Sequence, residues 1–505
     1  MTDKHDKSRI LNDIVTLKGP SSAPEKRSLV SGFEPSSSTS SLSSRSSSSV
    51  YLDGRSLSAQ PSSSASASSA SSASSASSAS SHTSSDDQKA GAGMMKGMPF
   101  PDPVFMPTQE GAHGLRFDFN IGIRALLPPG KWTIRFRDLD TYTVLYQTEG
   151  DALQVLSRKR HFINARIELE KDGEIVWTHD YDAAGKDVAV VMPGGTLGDS
   201  LGWFPYAVRF AQKHQCRLTV MLSEPLKKLL EPVYPDIRFI LADEFDAIRE
   251  TLYATYYLGL FFDDEENSWQ PADFRYVGLH RTAGYILGVD PTEEAPRVAI
   301  EDEETRPIEE PYVVVAVQAS CGCKMWNNPT GWMDTIQHLK EKGYRVICID
   351  RDPAVASSIH WNVIPNGVED ETGNRPLKER ARWLKHADFF VGLSSGLSWL
   401  AWSVGTPVVL ISGFTHPSNE FHTPYRVFST HGCNSCWHDV RTPFKHDDYM
   451  FCPRHKDTPR FFECTRIITA DYVKATIDRV CQDYAVPKLG KKRKSKTRVS
   501  SKRTE

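Results

Sequence analysis

Residues 387–411 read A-D-F-F-V-G-L-S-S-G-L-S-W-L-A-W-S-V-G-T-P-V-V-L-I, and this stretch decides the fold. Its pattern predicts a strand at Phe389–Val391, a loop at Gly392–Gly396, a helix at Leu397–Val404 and a strand at Val408–Ile411. A small-residue loop that runs into a helix leaves backbone N–H groups unpaired at the positive end of the helix dipole. That geometry suits a diphosphate, although a Gly/Ser-rich turn can also serve only to keep the connection tight.

Four cysteines follow this stretch, after an H-P-S-N-E segment at 416–420. Cys433, Cys436, Cys452 and Cys464 have the pattern C-x2-C-x15-C-x11-C. Two thiolates three positions apart can bind one side of a metal ion, and two more from a following loop complete a tetrahedron. Zinc and a mononuclear iron both fit four sulfur ligands, and a full shell of thiolates favours a structural role. Four unrelated buried thiols are one alternative, and disulfides are a second that the lack of a secretion signal weakens.

The composition predicts a soluble, cytoplasmic protein of two or three domains. The chain has 505 residues and a net charge of -3, which gives no argument for binding nucleic acid or an anionic membrane. Nine cysteines without an N-terminal apolar region indicate a reducing compartment. No run approaches the roughly 18 apolar residues of a membrane span.

The composition of the sequence and the spacing of its apolar residues change several times along the chain. A Ser/Ala tract cannot bury enough apolar surface to fold, period-two runs such as L-R-F-D-F-N predict antiparallel strands, and alternating apolar strands and helices predict Rossmann-like lobes. The predicted segments are a disordered head (1–95), a β-barrel-like domain (98–186), an N-terminal Rossmann-like lobe (187–300), a C-terminal Rossmann-like lobe (311–430), a four-cysteine metal finger (431–466), a closing helix (467–487) and a basic disordered tail (488–505).

The predicted fold class is therefore α/β, with two Rossmann-like lobes preceded by a small antiparallel β-barrel or sheet domain. Helices are expected near Phe274–Leu287, Gly331–Lys342, Lys378–His386 and Asp471–Tyr484. Two such lobes leave a cleft where the carboxyl ends of both sheets face each other, and ligands bind there.

Three loops should meet in this cleft. In Gly194–Asp199 the Asp199 carboxylate could either cap the following helix or take a proton from an incoming hydroxyl. In the second loop, residues 318–329, Lys324 is a natural partner for a leaving diphosphate or else a surface lysine. The third is Gly392–Ser398, with Asp350 at the end of a neighbouring strand. Together they suggest group transfer from a nucleotide-activated donor.

These residues resemble those of the bacterial autotransporter heptosyltransferases. The matching segments are P-G-G-T-L-G-D (193–199), F-F-D-D-E-E-N (261–267), V-Q-A-S-C-G-C-K-M-W-N-N-P (317–329), G-L-S-S-G-L-S-W-L-A (392–401) and the four cysteines. The resemblance covers roughly residues 98–485 and implies a GT-B glycosyltransferase fold, an iron-binding finger and a dodecameric ring.

The resemblance also implies the reaction, which is transfer of heptose from ADP-heptose to serines of an autotransporter adhesin passenger domain. Asp199 would be the general base and Lys324 would contact the donor phosphates. The residues expected to contact the donor are Thr196, Leu197, Gly198, Lys324, Trp326, Asp350, Ser394, Ser395, Gly396, Leu397 and Ser398. One alternative is a related GT-B enzyme that uses another nucleotide sugar or a lipopolysaccharide or glycan acceptor. A metal-stabilised scaffold without catalysis is another.

Overall fold

A computed structural model describes residues 100–192, 196–353, 355–356, 361–445 and 447–484 of the chain. The Ser/Ala-rich head and the basic tail lie outside these residues. Among the helices of the described part, none is long and apolar enough to cross a membrane.

The strands of the described part are β1 (Gln109–Glu110), β2 (Arg116–Asn120), β3 (Arg124–Leu126), β4 (Trp132–Asp138), β5 (Val144–Gly150), β6 (Gln154–Leu156), β7 (Ala165–Lys171), β8 (Glu174–Asp180), β9 (Asp187–Val191), β10 (Arg217–Met221), β11 (Arg238–Ile240), β12 (Ala254–Tyr257), β13 (Tyr312–Val315), β14 (Arg345–Cys348), β15 (Val355–Ala356), β16 (Trp361–Asn362), β17 (Glu369–Asp370), β18 (Phe390–Leu393), β19 (Val408–Ile411) and β20 (Arg426–Val427). The α-helices are α1 (Leu197–His214), α2 (Glu224–Leu230), α3 (Phe274–Val277), α4 (Arg281–Ile286), α5 (Gly331–Glu341), α6 (Leu377–Lys385), α7 (Gly396–Ser403), α8 (Glu463–Arg466) and α9 (Ala470–Asp483).

The C-terminal lobe is built on a parallel sheet in the order β17-β14-β13-β18-β19-β20. Its central strands β13, β18 and β19 are buried along their whole length, as expected of strands that have helices on both faces. The chain runs outward from β13 in one direction, then returns to place β18 on the other side. The switch point of the sheet therefore lies between β13 and β18, and both predicted ligand loops of this lobe follow these two strands.

The N-terminal lobe repeats this arrangement with parallel strands in the order β11-β10-β9-β12, so that its switch point lies between β9 and β12. The sheet then continues into β2, β3 and β6, which belong to the segment that the sequence analysis placed in a separate domain. A buried polar cluster makes this junction. Arg124 forms a 2.6 Å ion pair with Asp118, and Thr255 on β12 donates a 2.6 Å hydrogen bond to Asn120.

A second, antiparallel sheet has the order β5-β4-β7-β8 and confirms the predicted small antiparallel domain. In β4 the side chains of Trp132, Ile134 and Phe136 are buried while the residues between them are partly exposed, which is the period-two pattern that the sequence predicted.

The two Rossmann-like lobes pack together through α1 and α7, whose first turns lie side by side. A Cβ on Gly198 would lie 2.6 Å from Trp399, and one on Gly202 would lie 3.1 Å from the same indole. A Cβ on Gly396 would in turn lie 2.8 Å from the side chain of Leu197. Absence of these side chains lets the N-termini of the two helices, one from each lobe, meet at the cleft.

Helices α5, α6, α7 and α9 confirm four of the predicted helices, and each end lies within one residue of its predicted position. The continuous helix predicted near Phe274–Leu287 was wrong, because α3 and α4 are separate. Gly278 between them has a φ of +95°, and a Cβ there would lie 2.5 Å from the carbonyl oxygen of Ser418 in the other lobe. The break lets Leu279 donate its N–H to Asn419 across the lobe boundary (3.0 Å).

The contact between α1 and α7 gives a first prediction. Gly198→Ala should lower the free energy of unfolding by about 1–3 kcal/mol, because the added methyl group overlaps the buried Trp399 and outweighs the gain in helix propensity. Urea denaturation measures the change. Gly198→Ala should cost less stability when Trp399 has already been replaced by Leu. Strictly additive effects would mean that the added methyl group and the indole do not clash.

Candidate functional site

The first of the three loops connects β9 to α1, and its residues 193–195 lie outside the described part. Thr196 precedes the helix, and Asp199 stands in the first helical turn. The Asp199 carboxylate accepts 2.9 Å hydrogen bonds from both the backbone N–H and the hydroxyl of Thr196. Asp199 therefore caps α1, as one of the two interpretations of the sequence expected. Asp199 is only partly buried, at the mouth of the cleft.

The third loop connects β18 to α7. Ser395 precedes the helix with an extended backbone, and its N–H donates to the Leu393 carbonyl (2.7 Å). The first N–H groups of α7, at Gly396 and Leu397, have no carbonyl partner earlier in the helix. Because Gly396 lies against Leu197, the positive ends of α1 and α7 converge on one point of the cleft.

The hydroxyls of this loop are engaged inside the protein. Ser398 is buried and donates its hydroxyl hydrogen to the Leu393 carbonyl oxygen. Ser394 donates its own to the carboxylate of Glu420, a residue that the sequence analysis quoted only within the H-P-S-N-E segment. Backbone N–H groups, more than these hydroxyls, are thus placed to meet an anion.

The second loop follows β13 and carries Lys324. Its ammonium group lies over two aromatic rings of the predicted finger, 5.4 Å from the centre of Trp437 and 5.8 Å from the centre of Phe444. Just before it, the buried thiols of Cys321 and Cys323 are 2.8 Å apart. The hydrogen bond from the Cys323 thiol, together with the nearby Lys324 charge, lowers the pKa of Cys321.

Two of the predicted donor contacts are deeply buried. Trp326 is 4% exposed and donates its indole N–H to the Ile468 carbonyl (3.0 Å). Asp350 is 2% exposed, and its carboxylate accepts the N–H of Val317 (2.7 Å). The burial of Trp326 favours a packing role. The hydrogen bond from Val317 to Asp350 fixes the start of the second loop, just after the end of β13.

The four cysteines of the predicted metal finger lie near enough to affect one another's pKa. Burial raises the pKa of Cys464, and the neighbouring thiols Cys436, Cys433 and Cys452 raise it further, in that order. Burial likewise raises the pKa of Cys436 to about 12, with Cys433 as the next cause. Thiols that raise one another's pKa lie in one neighbourhood, and four cysteine sulfurs are a donor set that suits iron or zinc, which would bind them as thiolates.

A different set of potential ligands lies at the edge of the same finger. One ligand atom each from Cys433, His455 and Glu463 lies within 4.8 Å of the other two. Glu463 is also engaged with the guanidinium of Arg460 (2.6 Å) and the backbone N–H of Cys433 (3.0 Å). The four-cysteine set stays a prediction, and this mixed set is its structural competitor.

A cavity of about 620 Å³ opens between the lobes beside the two helix N-termini. The sequence analysis did not identify it, because its walls come from elements that are far apart in the chain. The residues that line it are Leu197, Ser223, Glu224, Pro225, Leu226, Lys228, Leu229, Arg351, Asn374, Arg375, Pro376, Leu377, Lys378, Arg380 and Leu397. Its surface is mainly apolar with basic groups among the lining residues, as a nucleotide site requires.

Two Rossmann-like lobes with a ligand cleft at facing switch points define a GT-B glycosyltransferase. The family model "Glycosyltransferase family 9 (heptosyltransferase)" matches residues 264–444, and "Glycosyltransferase TibC, N-terminal domain" matches residues 111–173. The chain belongs to the autotransporter heptosyltransferase family, as the sequence resemblance indicated, and it is a heptosyltransferase by class.

The relatives support this assignment over most of their length. The chain is 50% identical to autotransporter heptosyltransferase TibC of Escherichia coli O78:H11 (strain H10407 / ETEC), over 75% of this chain and 93% of TibC. It is 45% identical to the inactive autotransporter heptosyltransferase BimC of Burkholderia thailandensis, over 75% of this chain and 88% of BimC. A crystal structure of dodecameric iron-containing TibC in complex with ADP-D-beta-D-heptose matches with a TM-score of 0.72 and 47% identity, over 76% of this chain and 99% of that one.

Burial raises the pKa of Asp350 to about 6, which gives a prediction on pH dependence. Between about pH 4 and pH 6 the folded state keeps a proton that the unfolded state has lost, so this group stabilises the fold less as the pH rises. Asp350→Asn removes the titration but keeps an acceptor for Val317. Between pH 4 and pH 7 the free energy of unfolding of the variant, measured by urea denaturation, should therefore rise by about 2–3 kcal/mol relative to that of the wild type. Parallel pH profiles would contradict this.

Proposed function

We propose that this protein transfers heptose from ADP-heptose to serine side chains of an autotransporter adhesin passenger domain. The observation that carries the proposal is the convergence of the N-termini of α1 and α7 at the cleft, with Asp199 in the first turn of α1. Relatives named autotransporter heptosyltransferase support an autotransporter acceptor, and the TibC complex with ADP-D-beta-D-heptose supports the donor.

The donor diphosphate would lie where the two helix N-termini converge. Its charge would meet the N–H groups of Gly396 and Leu397 and the dipoles of both helices. The adjoining cavity has apolar walls that include Leu197 and Leu397, which suit a purine base. Thr196 and Gly198 would contact the donor from the opposite lobe.

Asp199 would act as the general base. The serine oxygen of the acceptor attacks the anomeric carbon of heptose, the bond from that carbon to the phosphate oxygen breaks, and ADP leaves. Asp199 takes the serine proton. Closure of the lobes around the bound substrates would favour attack by serine over attack by water.

Lys324 would neutralise charge on the leaving diphosphate. Its ammonium group now rests on the aromatic rings of Trp437 and Phe444, and a rotation of the side chain about its flexible stem would redirect it. This arrangement supports a link between the finger and the catalytic lysine.

The finger would hold one iron ion through Cys433, Cys436, Cys452 and Cys464. Iron-containing TibC supports the metal, and the electrostatic effect of Cys433, Cys436 and Cys452 on Cys464 supports the ligands. The ion would stabilise the finger rather than take part in the reaction. We further propose a homo-oligomer, a dodecamer by analogy with TibC.

The test is to incubate the protein with ADP-heptose and a passenger domain, and then to measure the intact mass of the acceptor. We expect a gain of one or more heptose units, located on serine by peptide mapping. Asp199→Asn should keep the helix cap, since an amide oxygen can still accept from Thr196, but should lower kcat by roughly 10²–10⁴-fold.

A matched control is Glu244→Gln, because Glu244 caps Leu241 with a 2.7 Å hydrogen bond elsewhere in the N-terminal lobe. It should leave kcat unchanged. Wild-type rates in Asp199→Asn would rule out the general base. No mass gain with any acceptor, despite ADP binding, would place the protein with inactive relatives or with another sugar or acceptor.

The metal ligands give a separate prediction. Cys436→Ser should lose the bound iron and lower Tm by roughly 5 °C or more, because metal-binding energy is also folding energy for this segment. Metal analysis by mass spectrometry and thermal unfolding measure both effects.

His455→Gln is the matched variant for the competing ligand set and should retain the iron. If His455→Gln loses the metal while Cys436→Ser keeps it, the ligands are those of the mixed set. Zinc in place of iron would retain the four ligands and change the ion.

A further inference from the structure

The H-P-S-N-E segment at 416–420 ends in a charged residue that neither the reaction nor the metal uses. Glu420 lies between β19 and β20 and is 3% exposed. Placing an ionised carboxylate there is costly unless its oxygens are fully engaged. The described contacts of Glu420 show what engages them.

Each carboxylate oxygen of Glu420 has its own partners. One accepts from the Ser394 hydroxyl and from the side-chain amide of Asn419 (3.1 Å). The other accepts from Nη1 of Arg426 at 2.7 Å, and Arg426 is itself largely buried. Arg426 also donates to the Phe421 carbonyl (3.1 Å). Glu420 thus ties the loop after β18 to the first residue of β20.

These contacts keep Glu420 ionised. Burial opposes ionisation, but the charge of Arg426 and the hydrogen bonds from Ser394 and Asn419 hold the pKa of Glu420 below its usual value. An ionised carboxylate only accepts hydrogen bonds, so the Ser394 hydroxyl must point its hydrogen at Glu420.

That orientation removes Ser394 as a hydrogen-bond donor to phosphate. The N–H of Ser395 is also taken, by the Leu393 carbonyl (2.7 Å). What this loop can offer an anion is therefore the pair of N–H groups at Gly396 and Leu397, whose position depends on where Ser394 is held.

We propose that Glu420 is a positioning residue for the donor: by anchoring Ser394, it aims the first N–H groups of α7 at the donor diphosphate. This inference rests on the proposed function. It predicts that a substitution of Glu420 weakens nucleotide binding far more than does a substitution elsewhere that destabilises the protein equally.

The experiment measures the Kd of ADP by titration calorimetry for the wild type and Glu420→Gln. The matched control is Asp118→Asn, which makes the same change in another buried ion pair, with Arg124, in the N-terminal lobe. Thermal unfolding first identifies a temperature at which all three proteins are folded. We expect Glu420→Gln to weaken ADP binding at least about tenfold and Asp118→Asn to leave it unchanged.

A kinetic readout separates positioning from general damage. Glu420→Gln should raise the KM for ADP-heptose while the KM for the acceptor protein stays at the wild-type value. If Glu420→Gln does not fold, Ser394→Ala takes its place, because it breaks the anchor and keeps the ion pair. It should weaken ADP binding in the same direction by a factor of about three to ten.

The outcomes are distinct. Wild-type ADP affinity in Glu420→Gln or in its substitute overturns the positioning role, and so does an equal loss in Asp118→Asn. If the wild-type protein itself fails to bind ADP, both the proposed function and this inference fall. If the wild type binds ADP and transfers no heptose, only the proposed function falls.

Discussion

The close packing of α1 against α7 is the constraint on which the rest of this structure depends. Gly198 and Gly202 provide a flat strip on α1, and the indole of Trp399 fills it. Any side chain on that strip would push the lobes apart. Each of the two helices directly follows a strand at the switch point of its sheet. The contact that joins the lobes therefore also brings two helix N-termini to one point. The contact between α1 and α7 therefore accounts both for the packing of the lobes and for the position of the two helix N-termini.

Around that point the protein uses buried charge to hold backbone in place. Asp350 accepts the N–H of Val317 at the start of the second loop, and Glu420 accepts the hydroxyl of Ser394 at the start of the third. Both carboxylates are almost fully buried. Desolvation makes such groups expensive, so each is retained only where several donors surround it. These two carboxylates hold the starts of two loops that lead into the cleft.

The finger is connected to the cleft through an aromatic surface. Trp437 and Phe444 lie beneath the ammonium of Lys324, and Trp437 also packs against Phe262 of the N-terminal lobe. A metal that stiffens the finger would thereby stiffen the surface on which Lys324 rests. This gives a structural metal an influence on the active site without any part in bond making.

The sequence by itself determined the local architecture. Apolar runs and period-two segments specify which residues form strands, and small-residue loops after Val191 and Leu393 specify where helices begin. The motif segments also specify the family. Such features depend on neighbours along the chain, so they can be interpreted without coordinates.

Only the tertiary structure decided which side chains are available. Ser394, Trp326 and Asp350 were all predicted donor contacts, and each has a hydrogen-bond partner from a distant segment. The interlobe cavity and the role of Glu420 were likewise invisible, because their contacts join residues far apart in sequence. Hydrogen-bond partners and burial are properties of packing between elements, and a linear pattern carries no distance between them.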